Sequence, residues 1–349
     1  MRKTIGLFFG GRSVEHEVSI RSALNVYDAL DKNKYQIICI FIDQENFWHI
    51  VDSPKNLKFY KDNVVVMIPG SGGLIYDIKN FKEVAKVGIA FPLVHGAIGE
   101  DGTLQGIFKL SNVAYIGCDI ESSAICLDKA LTKQLLIINN IKTAQFIYAT
   151  HKDVLSWKKV TQKLGEKVYV KPNNLGSSVG VSAVRSGEEF KQAFKKALEF
   201  DNEIIIEEAI SGREIEFAVM GNEEIIVSHA GEIKVKSGFY DYRAKYISED
   251  NAELIVPAKV KNLQEIQKII AKSYKVLKCS GMARIDGFLK DNGEFLVNEI
   301  NTVPGFTNIS MYPKLMDLAG YKYSKLLDKL IFLAKEKYKK INKVKYRYE

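Results

Sequence analysis

Residues 281–306 read "GMARIDGFLKDNGEFLVNEINTVPGF". Two apolar runs flank Asp291-Asn292-Gly293, and Asn-Gly between such runs predicts a β-hairpin. Side chains two positions apart on a strand share a face. Arg284 and Asp286 therefore project together from the first strand, and Glu299 and Asn301 from the second. Burying such groups is costly unless something binds them. Asp, Glu and Asn supply hard oxygens of the kind Mg²⁺ takes, usually beside phosphate oxygens. On this stretch alone the hairpin is either an exposed face meeting solvent, since surface hairpins also carry Asp and Glu, or a candidate metal-binding face, with Pro304-Gly305 freeing the next segment to turn toward a ligand.

Toward the N-terminus the pattern becomes strand, loop, helix, strand. "TIGLFFGG" is an apolar run ending in glycines, and "SIRSALNVYDALDK" places Ile20, Leu24, Tyr27 and Leu30 on one helical stripe. "YQIICIFI" and "VGIAFPLVHG" read as further buried strands. Such alternation implies a parallel sheet covered by helices, with ligands at the carboxyl ends of its strands. Gly10-Gly11 and His95-Gly96 fall at those ends. From about residue 121 the pattern changes. A helix in "DKALTKQLLIINN" leads to a hairpin of "KVYVKP" and "SSVGVSAV" joined by "NNLG", then a helix "GEEFKQAFKKALEF" and a strand "EIIIEEAI". Further strands, a helix from about 260 to 278, the opening hairpin and a final helix complete the chain.

The 349 residues are enough for two or three domains, and 46% hydrophobic with 26% charged residues fits a water-soluble globular protein. Apolar runs such as "IICIFI" are strand-sized, far short of a membrane span. The start "MRKTIGLFFGG" reads as a first strand rather than a signal segment, so a cytoplasmic location is expected and no membrane partner. Four scattered cysteines form no CxxC pair and read as reduced thiols. Much of the net charge of +8 sits in "KEKYKKINKVKYRY", read as the solvated side of a terminal helix and its tail. With no zinc-finger or RNP-like pattern, no nucleic-acid partner is expected.

Three glycine-rich loops carry further candidates. "KPNNLGSSVG" follows a strand and on its own reads first as an ordinary Gly/Ser hairpin, though its backbone N–H groups with Lys171 could converge on phosphate oxygens. It lacks the G-K-[ST] of a Walker loop, and no strand is followed by G-x-G-x-x-G. "GGRSVEHEVS" and "HGAIGEDG" bear Glu15, His16, Glu17, His95, Glu100 and Asp101. Of these, His16, Glu17 and Asp101 are read as groups that start or cap helices.

Taken in order, "GGRSVEHEVS", "HGAIGEDG", "DKALTK", "KPNNLGSSVG", "EEAISGREIE", "FYDYRAKY", "ARIDGF" and "NEINTVPGFT" closely resemble the D-alanine–D-alanine ligase family of the ATP-grasp superfamily, over nearly the whole chain. The resemblance implies a three-domain α/β ATP-grasp fold: an N-terminal parallel, Rossmann-like domain (1–120), a central lid (121–210) and a C-terminal domain (211–349). It implies ATP as co-substrate, two Mg²⁺ (or Mn²⁺) ions, two molecules of D-alanine, a role in peptidoglycan precursor synthesis and a homodimer built through the first domain.

The resemblance also implies roles at matching positions. Lys129 and Lys171 hold ATP phosphates, Lys245 joins the ATP site, Glu207 lies on the adenine side and Glu214 on the ribose. Asp286, Glu299 and Asn301 are metal ligands, while Arg284 and the Gly305 N–H form the oxyanion site. Glu15 holds the first substrate's ammonium and His95 lies with it; Ser310 and Met311 meet the second substrate's carboxylate. Ser177 and Tyr246 form a hydrogen-bonded link from lid and loop to Glu15. Met311 stands where Leu is common, and Leu175 where some members carry Glu. The segment 237–250 is expected to order when ligands bind. Tyr246 ends an "AKY" that in the family suggests a D-alanine acceptor. A ligase that accepts D-lactate, or another ATP-grasp carboxylate–amine ligase, is the alternative reading.

Overall fold

The computed structural model of the protein describes residues 2–58, 63–235 and 252–345. The first strand, β1 (Lys3–Gly10), buries Ile5, Leu7, Phe8 and Phe9 completely. A strand apolar on both sides belongs inside a sheet covered on both faces. It pairs in parallel with β2 (Tyr35–Ile42) across the crossover helix α1 (His16–Ala29). Four short antiparallel strands then extend one edge: β3 (Trp48–Val51), β4 (Val65–Met67), β5 (Leu74–Asp77) and β6 (Lys82–Lys86). The chain returns to the middle with β7 (Ile89–Pro92), which pairs in parallel with the other side of β1. Helix α2 (Thr103–Leu110), strand β8 (Ala114–Tyr115) and helix α3 (Ile120–Leu127) follow. The eight-stranded order is β6-β5-β4-β3-β2-β1-β7-β8. The parallel centre is the expected one, and the antiparallel edge is an addition to it.

The helix-starting residues behave as expected. His16 opens α1 with its ring Nδ1 2.8 Å from the Gly11 carbonyl. Asp101 accepts from the backbone of Ile98 at 3.0 Å and of Thr103 at 2.8 Å, at the start of α2. The expected stripe of α1 holds in part: Leu30 is buried, and Ile20 and Tyr27 pack against the core. Val18, Ala23 and Val26 are buried, while Leu24 is half-buried and walls a cavity.

The second unit joins α4 (Lys129–Ile138), β9 (Phe146–Thr150), α5 (Trp157–Leu164), β10 (Val168–Pro172), β11 (Ser182–Val184), α6 (Gly187–Leu198) and β12 (Glu203–Glu208). Its four strands form an antiparallel sheet in the order β11-β10-β12-β9. The hairpin expected over 168–184 is present, but only Ser182–Val184 pairs with β10. Residues 173–181 form a loop, because Ser177 (φ 54°) and Ser178 (φ 58°) are left-handed and cannot continue a strand.

The third unit begins with β13 (Arg213–Gly221), β14 (Ile225–Val227), β15 (Gly231–Val235) and β16 (Ala252–Ile255). Helix α7 (Leu263–Val276) precedes the hairpin β17 (Gly281–Leu289) and β18 (Phe295–Asn301). The end is two helices, α8 (Met311–Leu318) and α9 (Tyr323–Ile341), in place of one. This sheet runs β16-β15-β13-β17-β18, with β14 beside β13. Its Ala218, Met220 and Met282 share one apolar core with β1, α1, α8 and α9, so the third unit packs on the first. Among the described residues no helix is long and apolar enough to cross a membrane.

Candidate functional site

Register places the site's centre. Asp286 lies opposite Glu216 on one side and Glu299 on the other, while Arg284 lies opposite Asn301. Three carboxylates thus stand in a row across β13, β17 and β18, with one guanidinium among them. Arg284 donates to both oxygens of Asp286, at 2.8 and 2.7 Å, and its Nε is 3.1 Å from Glu216 Oε2. Asn301 donates to Asp286 through Nδ2 at 2.9 Å, so its Oδ1 is the atom with acceptor capacity. Burial disfavours the Arg284 charge, yet Asp286 and Glu216 more than offset it and hold its pKa well above the ordinary arginine value. Glu216 was not singled out in the sequence, although Glu214 and Glu216 alternate on one strand as Glu299 and Asn301 do.

The donor set suits a hard divalent cation. Three acids against one arginine leave an excess of negative charge, and the oxygens are of the kind Mg²⁺ prefers. Among the described residues no group of three or more His, Cys, Asp or Glu is placed to hold a metal ion by itself. Mg²⁺ commonly keeps water and phosphate oxygens alongside one or two carboxylates, so an open site fits it.

A cavity of about 220 Å³ is walled by Lys129, Lys171, Glu207, Glu214, Asp286 and Glu299. Four of these are expected ATP residues and two are expected metal ligands. Glu207 accepts from Lys171 and forms a 2.7 Å ion pair with Lys133, whose side chain is wholly buried. Burial works against the Glu207 carboxylate, but the two lysines hold its pKa down at about 2. Burial also lowers the pKa of Lys129 and Lys133. It works against Lys171 too, yet Glu207 raises that lysine above its ordinary value. Lys133 lies one helical turn after Lys129 in "DKALTK", a spacing that signalled it without being read.

Asn173, fully buried, fastens the start of α4 to the loop after β10. It accepts from the Ala130 backbone at 2.9 Å and donates to Asp128 at 2.8 Å. Lys129 Nζ donates to the carbonyl of Leu175 in that loop.

A larger cavity of about 800 Å³ adjoins the first. Glu15, His95, Ser177, Gly305, Ser310 and Met311 wall it. Lys129, Ser177, Arg284 and Glu299 wall both cavities, so the two meet beside the carboxylate row. Close packing brings the first and second units together at Glu15. A Cβ on Gly96 (φ +73°) would lie 3.1 Å from Glu15 Oε2, and one on Gly176 would lie 3.6 Å from it. Ser310 Oγ accepts from the Thr307 backbone at 3.0 Å and shares a 2.7 Å bond with the Thr307 hydroxyl. Lys245, Tyr246 and the segment 237–250 lie outside the described residues.

Residues 4–118 match the family model described as D-ala D-ala ligase N-terminus, and residues 135–332 the one described as D-ala D-ala ligase C-terminus. The chain is 42% identical over 356 residues to D-alanine--D-alanine ligase A of Escherichia coli K12, covering 98% of each. The D-alanine-D-alanine ligase structure from Coxiella burnetii superposes with a TM-score of 0.87 at 34% identity, covering 98% of this chain and 96% of that one. VanG D-Ala:D-Ser ligase from Enterococcus faecalis superposes with a TM-score of 0.85 at 36% identity, covering 96% and 100%.

Proposed function

The chain belongs to the D-alanine–D-alanine ligase family, and on that premise we propose how its two cavities carry out the ATP-dependent joining of two D-alanines into D-alanyl-D-alanine for peptidoglycan precursor synthesis. The observation that carries the proposal is the junction of the cavities at Arg284 and Glu299, beside the carboxylate row.

The units divide the work: residues 1–120 hold the first substrate, 121–210 form the lid, and 211–349 complete the nucleotide and metal site. The smaller cavity takes the ATP phosphates, with Lys129 and Lys171 as their cations; Glu207 serves the adenine side and Glu214 the ribose. Lys245 belongs to the same site. Asp286, Glu299 and Asn301 would hold two Mg²⁺ or Mn²⁺ ions, which would offset the negative charge of the transferring phosphoryl group.

In the larger cavity Glu15 meets the ammonium of the first D-alanine, with His95 beside it. The substrate carboxylate attacks the γ-phosphorus, ADP leaves, and an acyl phosphate results. Phosphoryl transfer depends mainly on positioning and charge neutralisation, which the lysines supply and which cations held by the acid row would complete. The second D-alanine, its carboxylate against Ser310 and Met311, attacks the acyl carbon through its amine. The tetrahedral oxygen becomes negative, and Arg284 with the Gly305 N–H stabilises it before inorganic phosphate departs. Asp286 and Glu216 fix the guanidinium in place, so little reorganisation accompanies that step. Ser177 and Tyr246 complete a latch over Glu15 that excludes water from the acyl phosphate. A cytoplasmic location and a homodimer through the first unit belong to the same proposal.

The structural likeness to a D-Ala:D-Ser ligase makes acceptor choice the point to measure. Purified protein with ATP, Mg²⁺ and D-alanine, alone or with D-serine or D-lactate, is expected to release ADP with D-alanine and to yield mainly D-alanyl-D-alanine. ADP release that ignores D-alanine would overturn the ligase reading. A dominant mixed product would overturn the acceptor assignment.

A further inference from the structure

Ser22 lies on α1, wholly buried, far in sequence from the turn that carries Gly305. Its Oγ is 3.0 Å from His95 Nε2 and 3.3 Å from the Phe306 backbone nitrogen. His95 Nδ1 is 2.9 Å from the Val303 carbonyl. These contacts fix the hydrogens. A carbonyl only accepts, so Nδ1 carries the proton. Burial lowers the imidazole pKa, so the ring is neutral and Nε2 must accept. The Ser22 hydroxyl therefore donates to His95 and accepts from the Phe306 N–H. One continuous chain of hydrogen bonds runs from Phe306 through Ser22 and His95 to Val303.

Only Pro304 and Gly305 lie between the two held points. Proline has no N–H, so the turn presents a single amide donor, that of Gly305. On the turn's other side a Cβ at Gly305 would lie 2.8 Å from Ser310 Oγ, so the segment has little room to shift.

We propose that Ser22 is a positioning residue of the ligation: by clamping Val303 through His95, and Phe306 directly, its hydroxyl aims the Gly305 N–H at the oxyanion of the tetrahedral intermediate. The inference rests on the oxyanion role assigned to Gly305. Donors of this kind act only when aimed at the place where charge develops, so a small displacement costs rate more than substrate binding.

The test compares wild type with Ser22→Ala and Ser22→Cys. Alanine removes both hydrogen bonds; cysteine keeps the volume but offers only a weak S–H donor. Both folded variants are expected to lose about 10- to 100-fold in kcat, with the KM for ATP and for the first D-alanine within about twofold of wild type. A phosphinate dipeptide mimic, whose tetrahedral anionic oxygen occupies the oxyanion position, is expected to bind more weakly by a similar factor. A folded variant with kcat within twofold of wild type overturns the inference. So does a fall in kcat with mimic affinity unchanged, or with ATP affinity lost in step, because packing alone would explain it. Wild type that forms no dipeptide overturns the ligase reading instead; active wild type beside unimpaired variants overturns this inference alone.

Discussion

Lys133 and Glu207 form a 2.7 Å ion pair in which the lysine side chain has no exposure to solvent. Lys133 comes from α4 and Glu207 from β12, so the pair binds the helix that carries Lys129 to the sheet that carries Lys171. Lys133 also donates to Thr143 at 2.8 Å.

Lys133→Met keeps most of the side-chain volume and removes the charge. Breaking a buried pair from one side costs roughly 3–5 kcal/mol, because the other charge stays buried. Lys171 still accompanies Glu207, so a loss near the lower end is expected from urea unfolding. The double variant with Glu207→Gln should lose less than the two single losses added together. Full additivity would show that the two residues do not act as a pair.

Asp286→Ala and Glu299→Ala are each expected to abolish turnover nearly completely while the fold survives, because both stand in the acid row at the cavity junction. Near-normal activity of either at saturating Mg²⁺ would remove that residue from the metal site.

Arg284→Ala should lower kcat by about 100-fold or more, the scale of losing one oxyanion donor, with ATP affinity changed far less. A variant that loses ATP binding and keeps kcat would make Arg284 a nucleotide ligand.

Stability should depend on pH through two carboxyls with opposite shifts. Burial, helped by the Glu15 charge, pushes the Glu100 carboxyl up to about 8 from an ordinary 4.5. Its contribution is complete below pH 4.5 and is lost as pH rises toward 8. Glu207, held at about 2, contributes above pH 4.5 and loses that contribution as pH falls toward 2. Glu100→Gln should therefore flatten the fall in stability between pH 5 and 8 and leave the acid limb alone. Parallel curves for variant and wild type across pH 5–8 would refute the Glu100 assignment.

Gly231→Ala would set a Cβ 2.5 Å from Met311 Sδ. Methionine is flexible enough to move, so the fold should hold while the acceptor side changes. The KM for the second D-alanine is expected to rise severalfold, with that for the first unchanged. Met311→Ala in the same chain should relieve the crowding. An unaltered second-substrate KM in Gly231→Ala would remove Met311 from that subsite.

The opening hairpin was legible because strand alternation fixes which side chains share a face, while the order of the other motifs along the chain favoured a metal site over a solvated surface. Its register brings Arg284, Asp286, Glu299 and Asn301 together as expected. Glu216 follows the same alternation, but only the pairing of β13 with β17 reveals its neighbour Asp286. Lys133 was hidden for a different reason: helical spacing gives its face, not the carboxylate that lets a lysine be buried there. The antiparallel edge was missed because its strands are short and weakly patterned. Lys82–Lys86 is mostly exposed and reads as loop. The loop 173–181 reads partly as strand because Ser177 and Ser178 give no composition signal of left-handed backbone.

The bond between Ser22 and Phe306 spans 284 positions of chain, from the helix of one unit to the turn of another. It has an evolutionary consequence. A chimera that took residues 1–120 from one relative and the remainder from a second would unite a helix and a turn that had never been selected together. The regions matching the N- and C-terminal families meet between residues 118 and 135, an obvious crossover point, yet the clamp straddles it. Substitutions near Ser22 and His95 should therefore be inherited jointly with changes at 303–306, and productive recombinants should be those that move both segments as one.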